Sequence, residues 1–145
     1  LQKTLQNTFK DSKQIAILCF LADLGISVWS YEKIKNYDEY LKIVKPMIDS
    51  PDFQVQIYGV LLQSFIFSML IFLVFHLVIY FLFVRETNYA VKYVRFYTFM
   101  AAVSAGIMVF SGVMVAILPF IIYTLSFISV GKSLKAKKAI HAQKK

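Results

Sequence analysis

Residues 57–84 read IYGVLLQSFIFSMLIFLVFHLVIYFLFV, a run with no Asp, Glu, Lys or Arg. A helix in a soluble protein is apolar along one stripe, whereas this stretch is apolar nearly all round. About 20 such residues cross a hydrocarbon layer of roughly 30 Å, and a helix satisfies its own backbone there. The stretch therefore predicts a membrane helix with length to spare, to be absorbed by tilt or by projection past the headgroups. Ser50 and Pro51 stand ahead of it as N-cap and first helical position. The phenylalanines Phe65, Phe67, Phe72, Phe75, Phe81 and Phe83 point to lipid or partner helices around it rather than to a cofactor groove.

Working outward, the charges fall into four blocks. Residues 1–13 hold three lysines, 32–56 four, 85–95 one lysine and two arginines, and 131–145 six lysines with no acid. Only Asp23 lies outside them. The chain is 145 residues long, 59% hydrophobic and 17% charged, which suits one membrane domain better than a soluble core. Its first residue is Leu1, which leaves room for residues ahead of it.

The expected fold is all-α: a polytopic integral membrane protein with four helices over about 14–31, 57–84, 94–110 and 113–130. Three helices are the alternative, because residues 96–130 contain only one place for a tight turn, Ser111-Gly112. As a single helix that stretch would be about 50 Å long. Four spans with the N-terminus inside leave twelve Lys/Arg in the cytoplasm against four outside, which the positive-inside rule favours. Residues 1–13 then form a cytoplasmic or interfacial segment, 14–131 the transmembrane domain and 132–145 a basic cytoplasmic tail. The basic start before a short apolar run also resembles a signal peptide, but Trp29 and Tyr31 suit an interfacial belt better. In the outer loop, 32–56, Ile34, Tyr37, Leu41, Val44 and Ile48 recur at helical spacing. They predict a short amphipathic helix, opened by Asn36 with Glu39 at capping-box spacing and ended by Pro46.

An ionisable group at membrane depth normally faces protein or water. Counting at 1.5 Å per residue from the span ends puts Asp23, His76, Ser104 and Tyr123 at a similar depth, one from each span. They are the candidate intramembrane polar layer, either a structural hydrogen-bonded cluster or a proton- or ion-handling site built on Asp23 and His76. Ala101, Ala102, Ala105, Gly106, Gly112 and Ala116 show the small-xxx-small spacing that lets helices approach closely. Lys132, Lys135, Lys137 and Lys138 suit anionic lipid headgroups. No aromatics interleave with them, so no nucleic acid is expected.

Catalytic signatures are missing: there is no P-loop, GxSxG or HExxH pattern. Cys19 is the only cysteine and forms no metal cluster, and His76 would need a second ligand from elsewhere to hold haem. No enzyme, no metal and no cofactor are expected. The expected function is a non-catalytic small subunit of a larger membrane complex, partnered by lipids and by other membrane subunits or copies of itself. The rival is a small oligomeric transporter or channel using Asp23 and His76, and a lesser one is a lipid-interacting regulator. A bacterial inner membrane is the expected location, since the chain is compact and carries no Asn-x-Ser/Thr acceptor.

Overall fold

The computed structural model describes the backbone of residues 2–46 and 50–143, and the side chains of 12–42, 45–46 and 50–135. It is all-helical across the described residues: α1 (Gln2–Ile34), α2 (Tyr37–Val44), α3 (Pro51–Val84), α4 (Asn88–Phe110) and α5 (Ile117–Gln143). A 3-10 turn at Met114–Ala116 leads into α5. Four of these helices are long and apolar enough to cross a membrane: α1 from Ser12, α3, α4, and the stretch from Met114 to Lys135. They run alternately up and down, so both termini leave from the same end of the bundle.

The helix stops follow from backbone chemistry. At the end of α3 the N–H of Thr87 reaches Leu82 O and that of Glu86 reaches Phe83 O, the paired bonds of a Schellman motif. Glu86 takes the left-handed conformation the motif needs, with φ 57°. The same pair of bonds closes α4, from Val113 to Met108 and from Gly112 to Val109, with Gly112 at φ 87°. The break expected at Ser111-Gly112 is therefore real, and 96–130 forms two helices rather than one. Gly112 itself sits in the turn and is exposed, so Gly112 and Ala116 are not a helical small-residue pair. A carbon added at Gly112 meets nothing, and its role is conformational.

Several boundaries differ from expectation. α4 starts at Asn88 rather than near 94, because Lys92 and Arg95 lie on its exposed side and do not interrupt it. The Arg95 guanidinium sits 5.7 Å from the Phe127 ring, so its stem runs along apolar surface while the head stays outside. α1 runs unbroken from Gln2, and α5 continues to Gln143, so the backbone on either side of the spans is helical as well. Lys132 and Lys135 are exposed on that continuation, while the side chains of Lys137 and Lys138 lie outside the described residues.

α2 is capped by Asn36, whose side-chain oxygen accepts from the N–H groups of Asp38 and Glu39. It ends at Val44, ahead of Pro46. Of the expected apolar face, Ile34 belongs to α1, and Ile48 and the Val44 side chain lie outside the described residues. Tyr40 provides the anchor instead. It is buried, its hydroxyl donates to Gln54 O at 3.2 Å, and its ring lies 5.0 Å from Tyr58. Tyr58 in turn donates to Lys35 O at 2.6 Å. Beside it, the Lys35 amine donates to Glu32, a hydrogen bond that raises its pKa above the ordinary lysine value.

The core is thin and lies between α1, the last third of α3, α4 and α5. Cys19, Ala22, Ile79, Phe83, Val94 and Val130 are buried in it. Ala105 and Gly106 are buried on α4, where a Cβ at Gly106 would meet Phe120 at 3.2 Å. Ala101 and Ala102 are half-buried, and Ala116 is buried in the 3-10 turn. Small residues at these points set how closely α4 approaches α5.

Candidate functional site

Asp23 is the point at which all four long helices meet. It is 1% exposed, and three tyrosine hydroxyls converge on its carboxylate. Tyr80 of α3 donates to Oδ2 at 2.7 Å, while Tyr97 of α4 and Tyr123 of α5 donate to Oδ1 at 2.5 and 2.6 Å. A carboxylate is an acceptor with about four lone-pair positions, and three are filled here. Each tyrosine has one proton to give and gives it to the same residue. The arrangement ties α1 to α3, α4 and α5 through three hydrogen bonds on one acceptor residue.

His76 lies in the same layer, 2% exposed, but is not bonded to Asp23. Its ring packs 4.3 Å from Tyr97 and 5.7 Å from Tyr80, centroid to centroid. Nδ1 is 2.9 Å from Phe72 O, and because a carbonyl only accepts, that nitrogen carries a proton. Nε2 faces the Tyr93 hydroxyl at 3.4 Å, a long contact.

One turn below Asp23, the Cys19 thiol donates to Ser126 of α5 at 3.2 Å. Thr98, fully buried, returns its hydroxyl proton to Val94 O within its own helix. Every buried side-chain polar atom among the described residues has a partner.

The structure thus brings Asp23 and Tyr123 into direct contact and sets His76 beside them, but Ser104 is exposed, two turns further along α4 than Tyr97. Tyr97 occupies the place Ser104 was expected to take. The reason is the starting point of the count: nine residues from Arg95 gives Ser104, whereas nine residues from Asn88, where α4 begins, gives Tyr97. Tyr80 and Tyr97 were missed, yet a signal existed. Tyr80 follows His76 by four residues and Tyr97 follows Tyr93 by four, the spacing of one helical face.

The chemistry open to this cluster is narrow. Among the described residues no three His, Cys, Asp or Glu side chains are grouped as a metal would require. The carboxylate is shielded by phenols rather than facing a cleft, and what the geometry provides is cross-linking of four helices through one acceptor. No protein-family model, no curated protein and no solved structure matches this chain, so its chemistry is argued from its own geometry.

Proposed function

We propose that the chain is an integral membrane protein, with both termini cytoplasmic, that serves as a non-catalytic subunit lending a docking helix to a larger membrane assembly. A bacterial inner membrane is the proposed setting. The observation that carries this reading is the length of α3. From the shared Asp23 layer to the end away from the termini, α1 runs about 16 Å, α4 about 20 Å and α5 about 9 Å at helical rise. α3 runs about 43 Å, and tyrosine side-chain reach accounts for only a few ångströms of that difference.

The whole of α3 is about 51 Å long. Fitting that into a core of about 30 Å demands more tilt than the 0–40° that membrane helices show. A segment of α3 therefore overhangs the bundle, covered on one side by α2. Its buried residues are Gln54, at the α2 contact, and then none until His76. Val60 is 64% exposed and Phe67 67%, and the polar side chains of Gln63, Ser64 and Ser68 are exposed among them. Amide and hydroxyl groups on an otherwise apolar helix are the groups that bond across helix pairs. A partner helix would cover the apolar residues and pair the polar ones.

Photo-crosslinking tests this directly. A crosslinker at Val60 or Phe67 should capture an unlike polypeptide, while one at Leu18, exposed on α1 beside the bundle, should not. Capture of lipid alone at all three positions, from a chain that is stable by itself, would overturn the proposal.

One observation favours the rival, a small oligomeric transporter or channel. His76 and Tyr93 lie beside the Asp23 cluster, with the His76 ring centroid 4.3 Å from that of Tyr97, whose hydroxyl donates to Asp23, so two titratable side chains share one buried layer. Reconstituted chain alone would then move protons or ions, and lose that activity in both Asp23→Asn and His76→Phe. The lesser reading, a lipid-responsive regulator, rests on the lysines of the α5 continuation.

A further inference from the structure

Between α1 and α3, on the half of the bundle nearer the termini, lies an open cleft of about 670 Å³. Ile17 and Leu21 of α1 and Leu77, Phe81 and Val84 of α3 line it, with Lys13 at one end. Its size falls within the roughly 300–1,000 Å³ of small-molecule sites. From Lys13 to Leu21 it runs about 12 Å at helical rise, close to the depth of one leaflet, about half of a 30 Å core. It reaches the level of the Asp23 layer, where Tyr80 forms part of its wall.

The charges stand at the end where a headgroup would be. Lys13 is exposed and forms no ion pair among the described residues. Arg85 follows the lining residue Val84, and its guanidinium stacks 4.4 Å from the ring of the lining residue Phe81. The cleft is thus cationic at its mouth and apolar down its length. We infer that it holds one acyl chain of an anionic phospholipid, whose phosphate sits between Lys13 and Arg85. A partner helix is a poorer occupant, since a spanning helix would follow both leaflets and this groove ends within one. The inference needs only that the helices lie in a bilayer, and does not depend on the docking role of α3.

The test uses the whole chain in a non-ionic detergent, with retained lipid counted by native mass spectrometry. Dioleoyl phosphatidylglycerol should be retained in preference to dioleoyl phosphatidylcholine. The Lys13→Gln/Arg85→Gln pair should lower phosphatidylglycerol retention by about tenfold or more while leaving the zwitterionic lipid unchanged. Both residues are exposed, so these variants should fold, and circular dichroism checks that they do. Filling the cleft with Ile17→Trp/Leu77→Trp should remove both lipids. Inorganic phosphate should not compete, because without an acyl chain it lacks the apolar contact. The inference fails if the two lipids are retained equally and the charge variants change nothing. It also fails if loss follows Lys132→Gln/Lys135→Gln instead, or if filling the cleft alters the oligomeric state and not the bound lipid.

Discussion

Removing the carboxylate at position 23 and removing one of its donors are different injuries. Tyr80→Phe, Tyr97→Phe and Tyr123→Phe each delete one hydroxyl and leave the acceptor with two, and each should destabilise by about 1 kcal/mol. Asp23→Ala strands three hydroxyls, two of them on well-buried tyrosines, and should lose about 2–4 kcal/mol. Asp23→Asn should fall between, because its amide nitrogen donates where Tyr80 also donates. Equilibrium unfolding in mixed micelles measures the order, and a loss for any single phenylalanine variant equal to that of Asp23→Ala would contradict the shared-acceptor geometry. Cys19, with none of its surface exposed, should resist maleimide until the chain is unfolded. The polar layer was partly legible beforehand. Depth counting found Asp23, His76 and Tyr123, because depth is linear in residue number. It took Ser104 for Tyr97 because the count began at Arg95 and not at Asn88, where α4 starts, which moves the level by two helical turns along one face.

Helix ends show the same division between what a sequence states and what packing decides. Gly112 advertised its turn because few other residues take a φ of 87° at low cost. Gly112→Ala should cost about 1 kcal/mol for that reason alone, as no neighbour obstructs the added carbon. Gly25→Ala is the control, since that glycine is exposed within α1 and also meets nothing. It should be neutral or slightly stabilising, and equal losses at the two sites would show that φ is not the cause. Glu86 gave no such notice, for its left-handed conformation is paired with a residue type that does not favour it. The start of α4 was hidden by Lys92 and Arg95, whose charge looks like loop until the spacing of Ala90, Val94 and Thr98 is seen. All three are buried, at four-residue steps on one face.

At the scale of the molecule, the proposed topology puts the α3–α4 turn and the α5 continuation on one side of the membrane and the α2 segment on the other. With Cys19 silent, Glu86→Cys and Ser133→Cys should both be labelled from the cytoplasmic side, and Lys45→Cys from the opposite side. Labelling of Glu86→Cys and Ser133→Cys from opposite sides would leave an odd number of crossings and remove the topology. The long apolar stretches were readable from hydropathy, and dividing the last into two helices needed the Ser111-Gly112 turn and the distribution of Lys and Arg as well. The overhang of α3 was not, because its extent becomes visible only against the fixed point at Asp23, and the residues marking that point come from four separate helices.

The unbroken run of α5 to Gln143 makes a rod of what would otherwise be a tether. From Lys132 to Gln143 the rod rises about 16 Å, roughly twice the distance over which salt at physiological strength screens a charge. Standing upright, it would leave its first cations within reach of the bilayer and lift its far end out of the bilayer's field. Lying down, it would keep Lys132 and Lys135, three residues apart, close to the surface. In the proposed membrane setting, the inclination of a single stiff element would set how many positive charges the bilayer feels and how many are offered to the solution beyond it.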